Sequence, residues 1–177
     1  QPVLIAVDDA DAQAGVHAED RGNQLGDAIH EVCEVLGGRV IDEARHLKRL
    51  ERSLGELAIR APMSMAALGR VMRETIRRNR VRDGLVYLQV SRGAAPRNFL
   101  FPGPDVPPTL IVLAHRVPKE PGEAQAGQGI AVKTVPENRW GRVDIKTVML
   151  LPSALAKEAA RAESPQLVFL LGSQLAY

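Results

Sequence analysis

This sequence is poor in cysteine, in aromatic residues and in net charge, and it has no long apolar run. Its single cysteine, Cys33, excludes a disulfide within the chain and suits a reducing compartment such as the cytoplasm. A formal net charge of +2 argues against nucleic-acid binding as the main task. No apolar stretch approaches the ~20 residues that a membrane-spanning helix needs, and the first residues lack the features of a secretory signal. We therefore expect neither nucleic acid nor a membrane as a partner.

Composition is otherwise that of a globular protein, with 45% of the 177 residues hydrophobic and 25% charged. A chain of this length can bury one good core, or one domain and part of a second. Short stretches of apolar residues indicate strands, whereas longer stretches with a helical period indicate helices. The strands are predicted at residues 3–7, 28–35, 40–41, 85–91, 109–114, 130–135, 143–146 and 166–171. The helices are predicted at residues 42–59 and 64–79, and from Pro152 to about residue 162.

This order of elements predicts an α+β fold rather than a doubly wound sheet. An N-terminal domain, residues 1–117, is expected to pack two helices on a mainly antiparallel sheet. Residues 118–129 are rich in proline, glycine and charge and have no apolar period, which indicates a linker. Residues 130–177 are then expected to begin a second, β-rich domain that is incomplete.

Polar residues and glycines mark the ends of the predicted elements. Residues 20–27 are polar and contain glycine, so they predict a loop. Gly37 and Gly38 predict a hairpin between two strands. Asp42 and Ser64 each precede an apolar helical period, and we expect both side chains to cap a helix N-terminus.

Lys146 is a candidate amine nucleophile. Val143 and Ile145 alternate with Asp144 and Lys146, so a strand would put the apolar pair on one face and the charged pair on the other. A lysine at such a strand end, partly enclosed by apolar neighbours, can have a lowered pKa and act as a nucleophile. The alternative is a lysine whose stem packs while its ammonium group reaches water.

Basic and metal-binding residue types give no second site by themselves. Six arginines crowd the end of the second predicted helix: Arg70, Arg73, Arg77, Arg78, Arg80 and Arg82. They could bind phosphate or nucleic acid, or they could form a solvated face near the helix C-terminus, where the macrodipole favours cations. The low net charge and the absence of interleaved aromatics favour the solvated face. The four histidines and Cys33 have no metal-ligand spacing, so we expect no metal site.

Five ordered stretches resemble the class IV aminotransferases, and most closely their D-amino-acid aminotransferase branch. They are Asp20-Arg21-Gly22-x-x-Leu25-Gly26-Asp27, Glu31-Val32, His46-Leu47-Lys48-Arg49-Leu50, residues 87–97 and residues 139–147. The resemblance implies a fold-type IV enzyme that uses pyridoxal 5'-phosphate, a homodimer, and a small amino acid and 2-oxo acid as substrates. It implies that Lys146 is the Schiff-base lysine and proton shuttle and that Arg49 binds the cofactor phosphate. Arg97 would bind the substrate carboxylate across the dimer interface.

Two residues depart from the pattern of this family. His30 stands where the family usually has a tyrosine, and Phe99 stands where it usually has a histidine. A protonated His30 would replace one substrate-binding group, whereas Phe99 can donate no hydrogen bond. The resemblance also implies that the acid facing the pyridine nitrogen and the backbone cup for the phosphate lie beyond this chain. Two functions therefore stay open, a D-amino-acid aminotransferase and a truncated, non-catalytic relative that serves as a dimerising or binding scaffold.

Overall fold

The computed structural model describes residues 4–7, 15–117, 127, 129, 131–162 and 167–171. The chain divides into two compact units. The first contains residues 1–118 together with Ile145–Val148, and the second contains residues 119–144 and 149–177. The predicted linker, residues 118–129, lies outside the described residues except at positions 127 and 129.

A five-stranded sheet forms the first unit, in the order β1-β5-β4-β2-β3. Its strands are β1 (Leu4–Val7), β2 (Ala28–Leu36), β3 (Arg39–Val40), β4 (Gly84–Ser91) and β5 (Thr109–Arg116). Neighbouring strands are antiparallel except β1 and β5, which are parallel. The expected mainly antiparallel sheet and the α+β class are therefore confirmed, as is the hairpin between β2 and β3.

Two long helices, α2 (Glu43–Glu56) and α3 (Met65–Arg78), pack on this sheet. Their apolar positions recur at the helical period, so each helix buries one stripe. That stripe meets the alternate residues of the central strands that point to the same side. The resulting core includes Leu50, Leu54, Leu68, Met72, Ile76, Ile29, Val86, Leu88, Val90, Leu110 and Val112.

The helix ends differ from expectation in two places. Residues 20–27 were expected to be a loop, but Arg21–Leu25 form a short helix, α1. Asp20 caps α1 by accepting a hydrogen bond from the Gly22 N–H, and Gly26 ends it in the left-handed conformation. Ser64 caps α3 as predicted. Asp42 holds the N-cap position of α2, but it has a φ of +50° and its side chain makes no capping hydrogen bond.

The chain leaves β4 through a sharp bend at Gly93. This residue has a φ of +98°, and a Cβ atom built on it would lie 2.0 Å from the Pro107 carbonyl oxygen. Glycine is therefore required here by both backbone conformation and space. The bend lets residues 102–108 cross close to the end of β4.

The second unit contains β6 (Val132–Pro136), the helix α4 (Leu151–Ala162) and β7 (Leu167–Leu171). Strands β6 and β7 pair in parallel. The strand predicted at residues 143–146 is not formed: residues 143 and 144 lie in a turn, and only Thr147 makes a β-bridge, to Ile29. Val143 is exposed while Ile145 is buried, so the expected apolar pair does not share one buried face. Among the described residues, no helix is long and apolar enough to cross a membrane.

Candidate active site

The short segment Ile145–Val148 brings Lys146 to strand β2 of the first unit. The His30 N–H donates to the Lys146 carbonyl oxygen at 3.0 Å, and the Val148 N–H donates to the Ala28 carbonyl oxygen at 3.2 Å. These bonds and the bridge between Ile29 and Thr147 fix the backbone on either side of the lysine. Lys146 itself is half-buried. A residue far along the chain is thus held beside the start of β2.

His30 is buried next to this lysine. Its side chain is only 3% exposed, its ring stacks on that of Tyr87 at 5.6 Å between centroids, and its Nδ1 atom has no hydrogen-bond partner. Burial, followed by the positive charge of Lys146, lowers the pKa of His30 from 6.5 to about 4. A pKa this low leaves the imidazole neutral near pH 7, whereas a protonated His30 would be needed to replace a cationic substrate-binding group.

Glu31 forms the charged centre of the site. Its side chain is 2% exposed, and it accepts two hydrogen bonds from Arg49, at 2.7 and 2.6 Å, and makes a third with His46 Nδ1 at 2.8 Å. Burial pushes the pKa of Glu31 upward, but the hydrogen bonds from Arg49 and His46 outweigh it, so the net pKa is lowered. Hydrogen bonding to Glu31 raises the pKa of Arg49. Glu31 and Arg49 are thus an ion pair.

Arg49 keeps one edge available for an anion. Glu31 occupies its Nε and one Nη2 N–H, while the side chain remains 47% exposed. A guanidinium group has five N–H donors, so three are left over, enough to bind a phosphate at the second edge. The phosphate role that the resemblance assigns to Arg49 therefore fits its geometry, with Glu31 as a support that holds the other edge.

Arg97 stands apart from these residues. It lies on an exposed loop after β4, where its guanidinium carbon is 5.6 Å from the centre of the Phe99 ring. Within the described part of the chain, no hydrogen bond or ion pair joins Arg97 to Lys146, Arg49 or His30. The structure thus brings three of the four predicted site residues together and leaves the fourth at the surface.

Sequence reasoning did not assign a role to Glu31 or His46. In the strand predicted at residues 28–35, Glu31 shares one side with Ile29, Cys33 and Val35. A carboxylate on an otherwise apolar face must be paired when that face is buried. That rule, applied to the predicted strand, would have singled out Glu31 and the basic residues of the next helix.

Three of the six clustered arginines are ion-paired with glutamates. Arg77 and Arg78 both pair with Glu74, at 2.6 and 2.8 Å, and Arg73 pairs with Glu43. These pairs make that part of the arginine cluster an ion-paired helix face. No group of three or more potential metal ligands was found among the described residues.

Comparison with known proteins gives one consistent family. The model of the family "Amino-transferase class IV" matches residues 28–174. The D-alanine aminotransferase of Staphylococcus haemolyticus is 36% identical over 148 residues, which cover 84% of this chain and 52% of that protein. The D-alanine aminotransferase of Bacillus licheniformis is 35% identical over 153 residues, covering 86% and 53%. The chain thus spans about half the length of the curated relatives it matches.

Solved structures show the same fold. The branched-chain amino acid aminotransferase from Escherichia coli has a TM-score of 0.73 and 19% identity. The match covers 92% of this chain and 54% of that one. Most of this chain therefore shares its fold with that protein.

Proposed function

We propose, since this chain belongs to the class IV aminotransferase family, that it serves amino transfer between a D-amino acid and a 2-oxo acid. Pyridoxal 5'-phosphate would be the cofactor, bound at Lys146. The observation that carries the proposal is the position of Lys146, fixed by backbone hydrogen bonds beside His30. The D-amino-acid preference is supported by the two relatives named D-alanine aminotransferase.

The residues present fit this cofactor. The orphaned Nδ1 atom of His30 is a buried acceptor or donor that a bound group could satisfy. Arg49 offers the free edge that a phosphate needs, and Glu31 holds its other edge. Lys146 supplies a half-buried amine. Together these three features supply a phosphate anchor, an amine and an unpaired polar atom in one unit.

The chemistry divides between cofactor and protein. Bound pyridoxal phosphate supplies an electron sink for the reacting carbon. Nζ of Lys146 would hold the cofactor, and as a free amine it could accept and return a proton as general base and acid. Glu31, which also bonds His46, fixes the orientation of Arg49, and Arg49 would hold the phosphate. The neutral ring of His30 adds no second positive charge beside Lys146.

Substrate binding rests on a second copy of the chain. Because Arg97 is exposed and lies away from Lys146, it would reach the substrate carboxylate only in a partner subunit, as the resemblance implies. Phe99 and the neutral His30 donate no charged hydrogen bond to that carboxylate. Arg97 would then be the single cation that binds the substrate carboxylate.

Covalent trapping tests the proposal directly. The chain is incubated with pyridoxal phosphate, reduced with borohydride and mapped by peptide mass spectrometry. We expect one reduced adduct, at Lys146. The adduct should be absent from Lys146→Ala and unchanged in Lys48→Ala, which removes an exposed lysine of α2. Transfer of the amino group from D-alanine, and not from L-alanine, to 2-oxoglutarate would then test the substrate class.

Labelling scattered over many lysines, or none at all, would contradict the cofactor site. A folded dimer without an adduct would instead support the scaffold alternative. Arg49→Gln gives an intermediate check, because loss of the phosphate anchor should raise the cofactor concentration needed for labelling by about tenfold.

A further inference from the structure

A separate cavity of about 200 Å³ lies in the first unit, between the end of α2 and residues 102–108. It holds roughly the volume of six water molecules. Its lining includes the apolar residues Ile59, Val106, Pro102 and Pro108 and the two cations Arg60 and Arg92. None of the residues named as part of the proposed cofactor site lines it.

Arg92 contributes a buried positive charge to the lining of the cavity. It is 9% exposed and makes two hydrogen bonds to Asp27, at 2.8 and 3.0 Å. Asp27 also pairs with the buried Arg21 at 2.8 Å. One carboxylate therefore serves two buried guanidinium groups, so neither of them has an ion-pair partner to itself. Buried charge of this kind favours a nearby anion.

Arg92 also keeps one donor for a ligand. Besides Asp27 it donates to the carbonyl oxygens of Ala58, at 2.9 Å, and Leu57, at 2.7 Å, so four of its five N–H groups are used. The remaining N–H belongs to Nη1. Phe101 covers one face of the guanidinium group, with its ring centre at 3.6 Å.

Arg60 adds a second positive charge at the rim. It is exposed, and within the described part of the chain no carboxylate is paired with it. No aspartate or glutamate lines the cavity, and the nearby Asp105 is exposed and is not among the lining residues. Both charged residues that line the cavity are therefore cations, and most of its other lining residues are apolar.

We propose that this cavity binds a small organic monocarboxylate, with its carboxylate between Arg60 and Arg92 and its hydrocarbon part against Ile59 and Val106. An inorganic phosphate would leave that apolar wall unfilled, whereas a short-chain or aromatic acid would bury it. Prolines form much of the remaining wall, and their fixed φ angles keep the cavity open without ordering cost. The site acts independently of cofactor binding at Lys146.

Titration with benzoate tests the site on the whole chain without added cofactor. Calorimetry gives the affinity, and amide NMR shifts at Ile59, Arg60 and Val106 give the location. We expect saturable binding that shifts these amides. Benzamide has the same shape but no charge, so it should bind at least tenfold more weakly.

Arg60→Gln should weaken benzoate binding by about five- to tenfold, because it removes one of the two cations. The matched control is Arg70→Gln, which removes an exposed arginine of α3 and should leave the affinity unchanged. Arg97→Gln should leave the benzoate-induced amide shifts of Ile59, Arg60 and Val106 unchanged, which separates this cavity from the proposed substrate site. Equal affinities in Arg60→Gln and Arg70→Gln, equal binding of benzamide, or amide shifts with inorganic phosphate alone would each overturn the proposal.

Discussion

The pKa of His30 depends on the groups around it, and Lys146 is the neighbour that is simplest to replace. Burial and then the charge of Lys146 lower the pKa of His30 to about 4. Replacing the lysine by methionine keeps the bulk of the stem and removes the charge. We therefore expect Lys146→Met to raise the NMR titration midpoint of His30 toward 6.5. Lys48→Met, which removes an exposed charge on α2, should leave the midpoint where it is.

Glu31 should make the protein sensitive to acid. Its folded-state pKa lies below the ordinary 4.5, so below that pH the unfolded chain binds protons more readily than the folded one. Its contribution to the free energy of unfolding is then complete above pH 4.5 and is lost as the pH falls through the lowered folded value. Glu31→Gln should cost about 1.5–3 kcal/mol at pH 7, the range for hydrogen bonds to a charged group.

Denaturant unfolding at a series of pH values checks this. The difference in stability between wild type and Glu31→Gln should shrink as the pH falls below 4.5. Glu34→Gln is the matched control, because Glu34 lies on the same strand but is exposed. A difference that stays constant between pH 7 and pH 3 would show that the lost interaction is not ionic.

The residues of the site were predictable to different extents. Lys146 and Arg49 were predicted from ordered motifs, and the structure places both next to β2. The pairing of Glu31 with Arg49 depends on how α2 packs on that strand, which no local pattern contains. The neutrality of His30 depends on burial and on a lysine more than one hundred positions away, so sequence spacing could not reveal it.

At the level of elements, the bend after β4 gives a sharp test of backbone strain. Gly93→Ala would combine a positive φ with a Cβ atom 2.0 Å from the Pro107 carbonyl oxygen. Gly37→Ala also has a positive φ, +58°, but meets no atom within 4 Å. We expect a cost of about 1 kcal/mol at Gly37, from conformation alone, and a cost at Gly93 larger by at least about 1–3 kcal/mol.

Thermal and denaturant unfolding of both variants measure the difference. Because residues 102–108 form one wall of the carboxylate cavity, Gly93→Ala should also weaken benzoate binding, whereas Gly37→Ala should not. Equal destabilisation by the two substitutions would mean that residues near Pro107 move aside without cost.

Long periodic elements were predicted well because their pattern repeats. The pattern of buried and exposed residues repeats at least twice along both helices on the sheet and along the strands β2, β4 and β5. The short helix α1 has only five residues and is held by the cap of Asp20 and the turn at Gly26. The alternation at residues 143–146 consists of only two apolar and two charged residues. So short a pattern is compatible with a turn as well as with a strand.

At the level of the whole molecule, the loop that carries Arg97 is the surface for which self-association is expected. Phe99 is 81% exposed and Leu100 is 75% exposed. Arg21 donates to the carbonyl oxygens of Asn98, at 2.6 Å, and Leu100, at 3.3 Å, so the backbone of this loop is anchored while its apolar side chains face outward. An anchored apolar tip of this kind is typical of an interface.

Sedimentation velocity over a range of concentrations should therefore show a dimer. The double substitution Phe99→Ser with Leu100→Ser should shift it toward monomer, because it removes the apolar contact and leaves the anchoring bonds of the backbone. The matched control is Leu151→Ser with Leu155→Ser, which changes two exposed leucines of α4. If that pair abolishes the dimer and the loop pair does not, association runs through the second unit. Arg97 would then have no site in a partner subunit to enter. The proposal that Arg97 alone binds the substrate carboxylate would be contradicted as well.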